Sequence, residues 1–130
     1  MITSAEEFKQ YIESESEEEN GKALDSAPDE VWFDVLLKYP HLSRDVVFNH
    51  TISIEVLERL SLSKDMNVRW NVAMMRRISR VIFERLAGDE NISVRHRIAC
   101  NPKVPADILL KLSTDNDPIV AEAAKKRISI

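Results

Sequence analysis

Glycine and cysteine are scarce in this chain, with 2 glycines and a single cysteine, Cys100, among 130 residues. The two glycines, Gly21 and Gly88, stand far apart, so they cannot build a phosphate-cradling glycine loop or a nucleophile elbow, each of which needs its glycines within a few residues of one another. One cysteine excludes a disulfide framework and a cysteine-based metal site. Prolines number only 5, too few turn-formers for a β-rich chain punctuated by tight turns. No apolar run approaches the roughly 18 residues that a membrane span needs. The opening Met1-Ile2-Thr3-Ser4-Ala5-Glu6-Glu7 has neither the basic start nor the apolar stretch of a secretory signal. A cytoplasmic protein is the expectation.

Apolar residues make up 44% of the chain and charged residues 31%, the balance of an ordinary globular protein. The length fits one domain that buries about two-thirds of its unfolded surface. The net charge of -4 conceals an asymmetry. Residues 1–45 carry 12 acidic side chains against 4 basic ones (Lys9, Lys22, Lys38, Arg44), whereas residues 46–130 carry 10 against 14. Such a molecule is electrically polar, which orients a charged partner unless the acidic end is simply solvated.

An internal repeat organises the second half. Ile52-Ser53-Ile54-Glu55-Val56-Leu57-Glu58-Arg59-Leu60 is followed 26 residues later by Ile78-Ser79-Arg80-Val81-Ile82-Phe83-Glu84-Arg85-Leu86. A third copy, Val104-Pro105-Ala106-Asp107-Ile108-Leu109-Leu110-Lys111-Leu112, follows after the same interval. Apolar residues match at 52/78/104, 56/82/108, 57/83/109 and 60/86/112, the stripe of one helix face. Serine or proline at 53/79/105 marks the helix start. Eight residues beyond each last leucine a second segment opens: Val68-Arg69-Trp70-Asn71-Val72-Ala73-Met74, Val94-Arg95-His96-Arg97-Ile98-Ala99-Cys100 and Val120-Ala121-Glu122-Ala123-Ala124. Each reads as a second short helix, reached through polar connectors such as Asp89-Glu90-Asn91 and Asp115-Asn116-Asp117-Pro118, whose Asp and Asn suit helix caps. A degenerate repeat precedes these. Residues 42–49 align with 68–75, and a first helix is predicted over 29–38, bounded by Pro28 and Pro40. No such helix pair hides its apolar face alone, so stacking must supply a shared core. The chain therefore reads as all-α, a right-handed α-solenoid of about four two-helix repeats over residues 28–130. An acidic helical cap and connector over residues 1–27 precedes it.

Asn101-Pro102-Lys103-Val104-Pro105, with Leu109, Leu112, Asp115 and Val120, resembles the leucine-rich repeat variant, a bacterial relative of HEAT repeats. Val94-Arg95-His96-Arg97-Ile98-Ala99-Cys100-Asn101 carries the same likeness, which covers about residues 40–127. The resemblance implies a right-handed superhelix of short helices. Some members place a cysteine-rich iron–sulfur segment before the repeats; with Cys100 alone this chain departs from that pattern, and no cluster, metal or other cofactor is expected.

The N-terminal part has its own character. Ser4-Ala5-Glu6-Glu7 reads as a capping box, followed by Phe8, Tyr11 and Ile12 at helical spacing. Residues 13–21 are a polar run that is either a mobile connector or an exposed acidic helix. Solenoids need polar end caps, and this segment supplies one. The layout is similar to that of small bacterial proteins with a short helical cap before such repeats, some of which are immunity proteins encoded beside toxins.

No constellation for enzyme chemistry is found. His41 and His50 fall in connectors and His96 in a second helix; Cys100 lies four residues after His96, but its column, Phe48/Met74/Cys100, reads as core. Arg69 and Arg95 follow the core valines and read as a structural ladder to connector aspartates such as Asp89 or Asp115, or else as a row of cations for an acidic partner. The columns Arg44/Trp70/His96/Glu122 and Asp45/Asn71/Arg97/Ala123 vary where the template columns do not, so the fold does not dictate them. A tryptophan in such a column reads either as packing on a neighbouring repeat or as an interface hot spot. The expected contact residues are Arg44, Trp70, Asn71, His96 and Arg97. They point to a non-catalytic module that binds one cognate protein, most specifically an immunity protein that neutralises a toxin domain, and that is a monomer when free. The alternative is nucleic acid on Arg69, Arg76, Arg77, Arg80, Arg95 and Arg97, with Arg59 and Arg85 nearby. Against it stand the acidic balance and a shortage of stacking aromatics, and the Arg76–Arg80 cluster falls in a connector.

Overall fold

The computed structural model describes residues 1–129, which form ten α-helices and one 3₁₀ turn without any strand. They are α1 (Ala5–Glu13), α2 (Glu17–Lys22), α3 (Asp29–Lys38), the 3₁₀ turn Pro40–Leu42, α4 (Ser43–Val46), α5 (Ile54–Leu60), α6 (Met66–Ala73), α7 (Arg80–Ala87), α8 (Ile92–Cys100), α9 (Ala106–Leu112) and α10 (Pro118–Ile128). No helix among the described residues is long and apolar enough to cross a membrane. Contacts divide the chain into two compact units, one over Met1–Leu60 and one from Ser61 onward.

In the first unit α1 packs on α3. Phe8 meets Trp32 edge to face, ring centroids 5.1 Å apart, and both side chains are fully buried. The burial leaves the Trp32 indole N–H without a hydrogen-bond partner, a cost that the packing of two large rings must outweigh. Ser4 caps α1 by accepting from the Glu7 N–H. The reciprocal half of the expected capping box is displaced by one residue, because Glu7 accepts from the N–H and hydroxyl of Thr3. The polar run after α1 resolves into the exposed acidic helix α2, capped by Ser16.

The segment aligned with the later second helices begins differently. Asp65, Asn91 and Asp117 cap α6, α8 and α10 through their side chains, whereas Tyr39 stands at the corresponding position and makes no side-chain cap bond. With no acceptor to satisfy the first N–H groups, the opening turn tightens to 3₁₀ and only one α-turn, α4, follows.

In the second unit α6, α8 and α10 lie in sequence side by side, with α7 and α9 behind them. The apolar columns read from sequence are the core: Ile82, Phe83, Leu86, Ile108, Leu109 and Leu112 are buried, as are Val68, Val94 and Val120. Ser79 caps α7, and Pro105 stands at the cap position of α9. Burying each such side chain contributes roughly 1.5–3 kcal/mol.

Asn101, fully buried at the end of α8, fastens one helix pair to the previous one. Its amide donates to the Ala73 and Met75 carbonyls, both at 2.8 Å, and its Oδ1 accepts from the Lys103 N–H at 2.9 Å. The bonds satisfy carbonyls that the end of α6 leaves open. One period later Arg127 donates to the Ala99 and Asn101 carbonyls. Two periods earlier Asn49 plays the same part in the first unit, donating to the Ala23 and Asp25 carbonyls. Replacing Asn101 with alanine is expected to cost roughly 1–3 kcal/mol by stranding buried carbonyls. Urea unfolding checks this against Asn116→Ala, an exposed connector change expected to stay within about 0.5 kcal/mol.

Candidate functional site

The arginines that follow the core valines are scaffold. Arg69 on α6 grips Asp89 with two N–H donors, Nε at 2.8 Å and Nη2 at 3.2 Å, while its Nη1 donates to the Ser63 carbonyl at 2.9 Å. Arg95 on α8 repeats the arrangement 26 residues later with Asp115 (2.9 and 3.2 Å) and the Asp89 carbonyl (2.8 Å). Side chains of both pairs are largely buried. The hydrogen bonds to Asp89 hold the Arg69 guanidinium above its ordinary pKa, against a smaller effect of burial. Burial pushes the Asp115 carboxyl up, but the Arg95 hydrogen bond, the Asp117 N–H and the Arg95 charge together bring it below the usual carboxylate range. Ala121, one period on, is buried and ends the ladder.

The residue after each ladder arginine faces outward. Trp70 and Asn71 on α6, and His96 and Arg97 on α8, are half-buried. Trp70 and Arg97 come together: the guanidinium carbon lies 5.6 Å from the indole centroid, a cation–π pair worth about 0.5–2 kcal/mol according to its desolvation. The Arg97 Nε is buried there without a hydrogen-bond partner. Asn71 donates to the Asn67 carbonyl of its own helix, and Glu122 is exposed on α10. Arg44 is exposed on α4 in the first unit, where burial holds the Asp45 carboxyl above its ordinary value against the His41 and Arg44 charges.

Cys100 corrects the sequence reading. The column expected to be core faces outward: Phe48 is 54% exposed, Met74 41%, and Cys100 is half-buried. Each second helix buries two successive residues (46/47, 72/73, 98/99), and the next residue, turned 100° further, leaves the core. The Cys100 sulfur lies 3.7 Å from the His96 Nε2. Both border a groove of about 690 Å³ between α8 and α10, lined also by Ile119, Glu122, Ala123, Lys126 and Arg127. Among the described residues no group of three His, Cys, Asp or Glu side chains is placed to hold a metal ion.

Among the other nucleic-acid candidates, Arg80 is held by Glu84 at 2.8 Å and by Asp107, and Arg85 donates to the Ser61 hydroxyl. Arg76 and Arg77 are exposed in the connector before α7, and Arg59 belongs to the first unit. The signal that sequence reasoning missed was the apolar content of the outward column, since it took Phe48, Met74 and Cys100 for core.

No family model, curated protein or solved structure matches the chain.

The ladder makes stability depend on acid. A carboxyl held below its unfolded value of about 3.9 contributes stability that is fully present above that pH. The contribution is lost as pH falls through the lower folded value. Asp115→Asn is expected to cost roughly 2–3 kcal/mol at neutral pH by depriving Arg95 of a charged acceptor. Its thermal midpoint should fall less steeply than the parent's below about pH 4; parallel acid limbs in a calorimetric pH series would deny the pair this role.

Proposed function

We propose that the chain is a non-catalytic protein-binding module, an α-solenoid of about four two-helix repeats akin to the leucine-rich repeat variant, that recognises one cognate protein in the cytoplasm. Its most specific form is an immunity protein that binds and neutralises a bacterial toxin domain. The small size and the acidic helical cap ahead of the repeats support that form.

The observation that carries the binding reading is the Trp70–Arg97 pair. A half-exposed indole braced by a cation from the neighbouring helix is large, amphipathic and already ordered, so it loses little freedom when a partner covers it. Met74 stands exposed one turn further along α6. The ladder arginines beside the pair are engaged in holding connectors, which leaves residues 70, 71, 96 and 97 to contact a partner. Of the arginines that a nucleic acid would need, Arg69, Arg80 and Arg95 are bound to carboxylates.

The test is affinity capture with the tagged chain from its native organism, with and without nuclease, using the parent and Trp70→Ala. One stoichiometric protein that survives nuclease is expected with the parent. Trp70→Ala should keep its helical circular dichroism and bind that protein more weakly by at least about 1–2 kcal/mol, the scale of hot-spot truncations. Unchanged affinity would remove Trp70 from the site, and a partner released by nuclease would shift the assignment to nucleic acid.

A further inference from the structure

The groove between α8 and α10 says what kind of partner the second unit fits. Its apolar lining includes Ile119, 64% exposed, a side chain that gains from being covered. Two cations, Lys126 and Arg127, line it against one carboxylate, Glu122. Arg127 is fixed there by its bonds to the Ala99 and Asn101 carbonyls, so its charge is pre-organised. On the other side of α8 the Trp70–Arg97 pair adds a third cation and the largest half-exposed ring of the unit. The second unit as a whole carries 13 basic residues against 8 acidic ones. Several of those acids are turned inward to the scaffold, Asp89 and Asp115 in the ladder and Asp65 and Asp117 in helix caps. An apolar centre with a cationic rim is the anatomy of a protein contact. A nucleic acid would instead call for a continuous track of available cations.

We infer that the α8–α10 groove, with the Trp70–Arg97 pair beside it, docks an acidic segment of a protein partner. One bulky apolar side chain of that segment seats against Ile119, Ala123 and Cys100, and its carboxylates lie against Lys126, Arg127 and Arg97. The inference rests on the protein-binding reading above and adds the chemistry of the partner.

The test uses the full chain and three dye-labelled probes followed by fluorescence anisotropy. The first is a synthetic helical peptide with leucines along one face and glutamates elsewhere, the second its lysine-for-glutamate counterpart, and the third a DNA duplex. Saturable binding of the glutamate peptide is expected, with the lysine peptide weaker by at least about tenfold because like charges would then face the rim. Lys126→Glu and Ile119→Ser, both exposed changes that leave the core untouched, should each weaken the glutamate peptide several-fold while circular dichroism stays unchanged. No saturable binding, or equal binding of the two peptides, would overturn the proposal. So would displacement of the glutamate peptide by the DNA duplex. Sedimentation of the chain alone covers the remaining occupant: self-association abolished by Lys126→Glu would give the groove to a second copy instead. Failure of the peptide while affinity capture still recovers a Trp70-dependent protein would sink this inference alone and leave the binding reading standing.

Discussion

Asp89 is held from two directions at once, and the second unit depends on that double grip. Its carboxylate accepts both donors of Arg69 from the preceding second helix, and its carbonyl accepts Arg95 from the following one. Read along the chain, the carbonyl of Ser63, Arg69, Asp89, Arg95 and Asp115 form one continuous run of charge-assisted bonds. Each arginine thereby ties its own helix to two connectors. Short helices of seven to eleven residues are marginal alone, so fixing the connectors supplies what the helices lack. The bidentate fork is specific to arginine, since lysine offers a point charge and no fork. The same bonds settle the orientation of the next residue. With position 69 or 95 pinned inward, position 70 or 96 turns away, and the scaffold creates the variable face as a by-product of its own geometry.

That coupling explains what was legible in the sequence. The apolar columns at 56/82/108, 57/83/109 and 60/86/112 were readable because one helical face must be apolar wherever it is stacked, and every one of these residues is buried. The range 29–38 was readable because Pro28 and Pro40 bracket it, and α3 occupies it. The ladder partners were readable because arginine and aspartate recur at one interval. The outward column of Phe48, Met74 and Cys100 was misjudged for a physical reason: apolarity alone does not separate a core column from an outward one, and only the angular count from the buried pair at 72/73 does. Asn101 stands in the motif that carries the family resemblance, but the bonding role it shares with Asn49 was not read, because Met75 interrupts their column and the period never appears in the letters. The α8–α10 groove lay beyond reach, since it is a property of two helices packed side by side and not of any residue string.

Charge follows the structure more closely than it follows the chain. The first unit holds 14 acidic residues against 5 basic ones, the second 8 against 13. Within the second unit the acids are largely committed, to the ladder, to helix caps and to Arg80, whereas Lys103, Lys125 and Lys126 are exposed. Each carboxylate held by an arginine also occupies that arginine, so the field of the unit follows its excess of 13 basic over 8 acidic residues and is positive.

The two tryptophans show the distinction on which the functional reading turns. Trp32 is what this fold does with an indole it uses for stability: the ring is fully buried against Phe8, and the structure tolerates an orphaned N–H to keep it there. Trp70 is treated otherwise. It stays half-buried, and its companion is the charged Arg97 and not an aromatic ring. Arg97 in turn leaves its Nε buried and unpaired beside the indole. The cation–π contact contributes about 0.5–2 kcal/mol, yet it leaves part of the ring exposed and a guanidinium nitrogen unsatisfied. On the proposed protein-binding reading, a partner that covers the pair would add to the ring's hydrophobic contribution and strengthen the cation–π attraction.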